Sequence, residues 1–210
     1  MEDKKLTPQE SMALIAQMIE TSKHRVAMPN IKISVMWAVL TILSAAIVLI
    51  VSLTCYTPWI NLVWMAIPVV GIPATIITAK KMKVEMVAKT AIDNISDRIW
   101  KTVGFIAILL SVVCLVFNLL GYPQAWLAMF YYGFIVVGFG AAMEGIILKE
   151  CSYIFGGVFS IIAGFFVAAL NICMIPLMMA WLLPLYMLCF LLMFIVPAFV
   201  IRKKINASKR

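Results

Sequence analysis

Six long apolar runs constrain the fold of this chain more than any other feature of its sequence. They cover about residues 33–56, 59–79, 102–120, 125–148, 152–171 and 181–201. Each run is close to the roughly 20 apolar residues that an α-helix needs to cross a bilayer. The chain is 65% hydrophobic and 12% charged, whereas a soluble domain is roughly 45–50% apolar and about 25% charged. We exclude a soluble domain and a nucleic-acid partner, and predict an all-α polytopic protein in contact with the lipid bilayer.

The 17 Lys and Arg residues lie on one side of the predicted membrane. The connectors at about residues 57–58, 121–124 and 172–180 contain none of them, and all 17 fall in the terminal segments, in residues 80–101 or at Lys149. Because basic loops stay in the cytosol, both termini are predicted to be cytosolic.

This alternation of connectors predicts three helical hairpins, at about residues 33–79, 102–148 and 152–201. Residues 1–30 would form a cytosolic N-terminal segment, and residues 205–210 a cytosolic tail. The six-helix transmembrane domain would then occupy residues 31–204.

Two amphipathic helices are predicted on the cytosolic side. Thr7 as N-cap, Pro8 at the first helical position and Glu10 form a helix start of the capping-box type. The helix that follows, about residues 8–25, is too short and too polar to span a membrane. A second helix would cover residues 80–93, with a break in the chain at 94–97. The apolar faces that would contact each other, the membrane surface or a protein partner comprise Met12, Ile15 and Ile19 in the first helix, and Val84 and Val87 in the second.

Glu144 is the one charged side chain inside a predicted span. An intramembrane carboxylate marks a functional site by default because it is costly to bury. Glu144 lies only five residues before Lys149, however, close to the cytosolic end. Three interpretations stay open: an interfacial residue that pairs with Lys149, a proton- or cation-linked site, and a partner contact.

Small residues recur every four positions in the fifth run. They predict close helix packing, since small side chains let helix backbones approach each other in lipid. Packing within the bundle, homo-oligomerisation and a ligand groove are the alternatives, in that order. The packing residues are Gly156, Ser160, Gly164 and Ala168, with shorter pairs at Gly138/Ala142 and Ala141/Gly145 in the fourth run.

Prolines and tryptophans mark further positions in the spans. Prolines at 68, 73, 176, 184 and 197 interrupt backbone hydrogen bonding and offer carbonyl groups to a cavity. Trp59, Trp126 and Trp181 are expected to anchor the outer interface, and Trp100 the cytosolic one.

Motifs of catalysis are absent from the sequence. His24 is the one histidine, the five cysteines form no CxxC, and there is no P-loop, GxGxxG or HExxH. Cys55 and Cys173 could pair, although burial as small apolar side chains is the simpler interpretation. We expect no enzyme activity, no cofactor and no metal.

Several segments occur in a distinctive order along nearly the whole chain. They read LTPQESMALIAQMIETSKHR, WINLVWMAIPVVGIPATI, KVEMVAKTAIDNISDRIWKTVGF, YIFGGVF and IVPAFVIRKK. Together they resemble an uncharacterised family of six-span inner-membrane proteins of Gram-negative bacteria. First spans of that family often read Leu-Trp-Gly, where this chain has Met36-Trp37-Ala38. The resemblance implies an inner-membrane location and six spans, but no activity or catalytic residue.

Two functional hypotheses follow. The first is a non-catalytic regulatory, sensory or assembly component that acts through its cytosolic amphipathic helices. The alternative is a carrier for a small, mostly apolar solute or an ion, which would use the proline-kinked spans and Glu144.

Overall fold

The computed structural model of the 210-residue chain describes residues 7–54, 58–85 and 91–208. These residues form helices joined by short turns, and no strand occurs among them. The α-helices are α1 (Pro8–Thr54), α2 (Ala66–Glu85), α3 (Ala91–Leu119), α4 (Leu127–Tyr131), α5 (Val137–Leu148), α6 (Cys151–Ile172), α7 (Met179–Phe190) and α8 (Val196–Ser208). Short 3-10 helices precede α2 (Pro58–Met65) and α4 (Pro123–Trp126), and π-helical segments join α4 to α5 (Tyr132–Val136) and α7 to α8 (Leu191–Ile195).

Six segments within the described residues are long and apolar enough to cross a membrane. We number them as spans in chain order: Ile31–Thr54, Trp59–Lys81, Asn94–Leu119, Pro123–Leu148, Cys151–Ile172 and Met179–Lys204. Their outer faces carry exposed large apolar side chains such as Phe105 and Phe165, which fits contact with lipid. The prediction of an all-α, multi-pass membrane protein is confirmed.

The two ends of the bundle differ in charge. The Nζ of Lys204 lies 2.6 Å from the Oε2 of Glu150, so the last turn of the sixth span meets the turn between the fourth and fifth spans. Lys81, the last residue of the second span, and Lys149, which follows the fourth span, lie at this same end of the bundle. We call this the basic end, and the opposite end, with the turns near Gly121 and Met174, the uncharged end.

The N-terminal helix is longer than its sequence pattern predicts. The amide of Ser11 donates to the carbonyl of Thr7 at 2.9 Å, which fits a helix that starts at Pro8. That helix then continues as one 47-residue element into the first span, in place of a separate helix that ends near residue 25. A proline costs a helix one hydrogen bond but has a helical φ, and here the helix continues across Pro29.

The connector between the second and third spans also departs from prediction. Residues 94–97, expected to break the chain, are helical and belong to α3. Ser96 is 1% exposed, so burial against a neighbouring span fixes this turn of helix where local sequence alone does not. Residues 80–85 extend the second helix, and residues 86–90 lie outside the described part of the chain.

Among the described residues, the fourth and fifth spans make the most extensive contact, and their backbones lie close together. A Cβ added to Gly157 would lie 2.5 Å from the carbonyl oxygen of Gly138, and one added to Gly164 would lie 2.7 Å from the Cβ of Phe134. On its other side the fifth span contacts the sixth, where a Cβ at Gly156 would collide with the carbonyl oxygen of Leu192. Glycine therefore permits both contacts of the fifth span.

The remaining spans are arranged around this core. The first span packs against the sixth, the second packs against the first, and the third packs against the fourth. The second and third spans make no extensive contact with each other in the described residues. This arrangement leaves a space between them.

Replacing Gly157 by alanine should destabilise the bundle. The added side chain meets backbone atoms, which cannot move aside, and overpacking of this kind typically costs about 1–3 kcal/mol. Thermal unfolding of the purified protein in detergent measures the effect. Gly104→Ala is the matched control, because a Cβ at Gly104 meets nothing within 4 Å. Equal unfolding temperatures for the two variants would contradict the packing described above.

Candidate functional site: a groove beside buried Glu144

Glu144 is held between the third and fourth spans. Its side chain is 1% exposed, and its Oε2 accepts hydrogen bonds from the hydroxyl of Ser96 at 2.6 Å and from the indole nitrogen of Trp100 at 3.3 Å. A buried carboxyl group is costly unless it is hydrogen-bonded, and these donors supply that requirement. Glu144 therefore does not extend to the bundle surface, whereas Lys149 is exposed.

A tyrosine of the fifth span lies near this carboxyl group and connects it to the first span. Tyr153, at the start of the fifth span, is 1% exposed. Its hydroxyl lies next to Ser34 of the first span and within electrostatic range of Glu144. The first, third, fourth and fifth spans thus meet in one polar cluster near the basic end.

A groove of about 510 Å³ occupies the space between the second and third spans. Residues of the first, fourth and sixth spans complete its lining. Eight aromatic side chains form much of the wall: Trp37, Trp64, Trp100, Phe130, Tyr132, Tyr186, Phe190 and Phe194. The polar members of the lining are Ser34, Thr41, Thr75, Asp97, Lys101 and Ser111.

The aromatic wall is one connected row of rings. Trp64 contacts Tyr186 with ring centroids 6.0 Å apart, and Tyr186 contacts Phe190 at 4.8 Å. Phe194 follows at 5.9 Å from Phe190, and Trp100 lies 5.8 Å from Phe194. Because Trp100 also donates to Glu144, the row connects the interior of the groove to the buried carboxyl group.

Irregular backbone positions this wall. Each π-helical segment inserts extra backbone into a helical turn, a feature frequent at functional sites, and the two segments lie in the fourth and sixth spans. Gly133, in the first of them, faces the Tyr186 hydroxyl, and a Cβ at this position would collide with it. The absence of a side chain at Gly133 therefore makes room for the tyrosine at the centre of the row.

One tryptophan attaches the second span to the bundle. The indole of Trp37 lies against Gly71, where an added Cβ would be 2.6 Å from the ring. Its Nε1 donates to the Oγ1 of Thr75 at 2.9 Å. Trp37 and Thr75 both line the groove, so this contact sets the position of one wall.

The structure places the small residues of the sequence pattern in helix contacts. Ser160 is fully buried, and its hydroxyl donates to the carbonyl of Phe134 at 2.9 Å. Ala142 contacts the Gly157 position, and Ala168 is half-buried. Gly138, Gly156 and Gly164 occupy the close approaches described above, and none of these small residues lines the groove.

The predicted partner faces are mostly beyond what the structure describes. Met12 is 71% exposed. The side chains of Ile15, Ile19 and Val84, and all of Val87, lie outside the described residues.

The tryptophans correct the sequence interpretation. Trp59 is 63% exposed, as expected of an interfacial anchor, but Trp126 is 2% exposed and packs inside the bundle. Trp100 is half-buried, and its indole nitrogen donates to Glu144. Ser96 and Trp100 are four residues apart and thus on one helix face, a signal that sequence reasoning missed; nothing in the sequence singled out Tyr186.

The described residues contain no group of three or more His, Cys, Asp or Glu side chains that could hold a metal ion. Cys114 and Cys189 are buried free thiols, and Cys151 and Cys173 are exposed ones. Cys55 lies outside the described residues.

Comparisons of the chain with models of protein families, with curated proteins and with solved structures find no match. The interpretation of the groove and of the Glu144 cluster therefore depends on their geometry and chemistry.

Replacing Glu144 by alanine should destabilise the protein by about 1–3 kcal/mol, since buried donors on Ser96 and Trp100 lose their acceptor. Glu144→Gln should cost less because the amide oxygen still accepts. Thermal unfolding measures both, and a changed tryptophan emission in Glu144→Ala reports on Trp100. Glu150→Ala is the control, since its exposed pair with Lys204 is worth only about 0–1 kcal/mol. If Glu144→Ala unfolds like Glu150→Ala, the cluster has no structural role.

Proposed function

We propose that this chain is a non-catalytic, membrane-embedded carrier for a small, mostly apolar solute. The observation that carries the proposal is the groove of about 510 Å³ between the second and third spans. Ligand sites typically measure about 300–1,000 Å³ and combine apolar and aromatic walls with a few polar groups. The lining described above has that composition.

The direction of the groove supports carriage across the membrane. Its lining on the third span begins at Asp97 near the basic end and reaches Ser111, about 21 Å further along the helix axis at 1.5 Å per residue. The hydrocarbon core of a bilayer is about 30 Å thick. A solute in the groove would therefore have protein contacts over most of the membrane.

Glu144 would act on the solute through Trp100. Its Oε2 accepts from an indole that also forms part of the groove wall. A change in the hydrogen bonding of Glu144 would thus alter the position of a side chain that the solute contacts.

The proposed location is the inner membrane of a Gram-negative bacterium, with both termini in the cytosol. The segregation of all 17 basic residues to one side of the spans supports the orientation. The resemblance of the sequence to a family of inner-membrane proteins supports the assignment to the inner membrane.

Blocking the groove should stop transport. The space around the Gly104 position is open, and Gly104 lines the groove, so Gly104→Trp should fill the groove without disturbing the fold. We expect proteoliposomes to accumulate 8-anilinonaphthalene-1-sulfonate, an aromatic anion, faster than protein-free vesicles. Gly104→Trp should reduce the protein-dependent rate at least about tenfold, as expected when apolar contacts worth some 1.4 kcal/mol or more are lost.

The control is Leu109→Trp, which adds the same bulk to the same span at a residue that is 52% exposed and outside the groove lining. It should transport the probe like the unmodified protein. Equal rates for Gly104→Trp and Leu109→Trp, or for proteoliposomes and empty vesicles, would contradict the carrier function.

A second candidate is a regulatory, sensory or assembly component that acts through its cytosolic helices. The length of α1 favours it, because α1 extends from Pro8 to the first span at Ile31. These 23 residues, 8–30, measure about 35 Å at 1.5 Å per residue. A helix of that length offers a surface to a protein partner or to a second copy of the chain.

Cysteine crosslinking tests whether this extension docks on the connector between the second and third spans. In a background without native cysteines, Ile15→Cys or Ile19→Cys should crosslink to Val84→Cys or Val87→Cys. The control Gln17→Cys, on the opposite helix face, should not. Uniform labelling of all four positions by a water-soluble maleimide would show that the extension does not dock on the connector. A covalent dimer would show that the extension contacts a second copy of the chain.

A further inference from the structure

We infer that Trp64, Phe130 and Tyr186 form the barrier between the groove and the uncharged end, so that this conformation of the carrier is accessible from the basic end. We call these three side chains the aromatic barrier. The inference deepens the proposed carrier function and rests on it. It is carried by the position of the groove along the spans, by the burial of the residues beyond it and by the contacts among the three rings.

The groove reaches the basic end of the bundle. In the first three spans its lining begins within three residues of that end, at Ile33, Ala79 and Asp97. Lys101, one helical turn further along the third span, lines the groove and is exposed. A water-soluble reagent at the basic end should therefore reach the interior of the groove.

The lining stops short of the uncharged end in each span that contributes to it. In the first, second, third, fourth and sixth spans, the lining residues nearest that end are Thr41, Trp64, Ser111, Met129 and Tyr186. Ser111 lies eight residues before the end of the third span at Leu119, or about 12 Å at 1.5 Å per residue. A layer of protein therefore lies between the groove and the uncharged end.

Buried side chains fill this layer. Ile60, Trp126 and Leu182 are 9%, 2% and 0% exposed. Cys114 is 1% exposed, and its thiol donates to the carbonyl of Ala125 at 3.2 Å. Each of these buried residues lies nearer the uncharged end than the groove lining of its own span. The described part of these spans thus closes the groove on this side.

The aromatic barrier lies where the groove meets the layer. Its rings come from the second, fourth and sixth spans, and each contacts the other two edge to face. The ring centroids are 5.4 Å apart for Trp64 and Phe130, 6.0 Å for Trp64 and Tyr186, and 5.1 Å for Phe130 and Tyr186. Aromatic pairs in this arrangement attract each other. Because all three side chains line the groove and are at most 6% exposed, they form its closed end.

Trp64 is the member of the barrier whose span is least held by the bundle. The second span has 11% of its apolar window buried, whereas the fourth and sixth spans have 50% and 44%. A movement of the second span would separate Trp64 from both other rings and leave Phe130 against Tyr186. Passage of a solute to the uncharged end would require this separation.

Sided labelling of a cysteine in the groove tests the inference. In a background without native cysteines, Gly104→Cys places a thiol in the groove at a position with open space around it. The probe is the membrane-impermeant methanethiosulfonate ethyltrimethylammonium, added to one side of proteoliposomes of a single orientation. Lys203→Cys and Gln124→Cys, exposed at the basic and the uncharged end, establish that orientation. Gly104→Cys should react from the basic side and resist the reagent from the uncharged side.

Removing one ring should open the barrier. Trp64→Ala should raise the rate at which Gly104→Cys is labelled from the uncharged side at least about tenfold, because two aromatic contacts are lost. The matched control is Trp59→Ala, which removes the same side chain from the same span at a residue that is 63% exposed and outside the groove lining. It should leave labelling one-sided. Phe130→Ala should act like Trp64→Ala, so the test remains valid if one of the two variants fails to fold.

The failures of the two proposals are distinguishable. Equal labelling of Gly104→Cys from both sides, or equal effects of Trp64→Ala and Trp59→Ala, would overturn the barrier. If Gly104→Trp blocks transport of the anilinonaphthalene probe but labelling is not one-sided, the inference fails and the carrier function stands. If labelling is one-sided but the block is absent, the groove is a closed pocket and both proposals fail.

Discussion

Backbone contact among the fourth, fifth and sixth spans is the constraint on which the rest of the structure depends. Apolar side chains gain little from burial when the alternative is lipid, so association of spans requires close packing. Gly157 and Gly156 provide it on two sides of the fifth span, against Gly138 and Leu192. These contacts form a scaffold in which the positions of the fourth and sixth spans are fixed. Those two spans supply one side of the groove.

The walls formed by the second and third spans are held differently from the scaffold. Hydrogen bonds join these walls to their neighbours at defined positions: Trp37 to Thr75 for the second span, and for the third span Ser96 and Trp100 to Glu144, Tyr132 to the carbonyl of Val103 and Cys114 to the carbonyl of Ala125. A hydrogen bond fixes orientation at one point, whereas interlocked backbones fix a helix along its length. The structure thus combines a densely packed core with two walls that are less buried, at 11% and 17% of their apolar windows, which suits a site that a ligand enters from the side.

The spans could be predicted from the sequence because they depend on local composition. The sixth apolar run, predicted at 181–201, lies within the observed Met179–Lys204, and the small residues of the fifth run occupy helix contacts. The groove exists because the second and third spans do not pack against each other in the described residues. No local sequence pattern predicts which helices pack together. Pro68 lines it, whereas Pro73 and Pro176 are exposed and do not, so prolines alone could not locate it. Burial of Trp126 and the helical turn at 94–97 likewise depend on neighbouring spans.

Trp100 couples ligand binding in the groove to the hydrogen bonding of the buried carboxyl group. Its ring contacts Phe194 in the wall, and its nitrogen donates to Glu144. A ligand that displaces the ring must weaken that hydrogen bond, and by linkage any change that weakens the bond favours such a ligand equally. Phenylalanine would preserve the wall and lose this connection, because it has no donor. The indole thus links ligand occupancy to the buried carboxyl group of the fourth span without direct contact between the two.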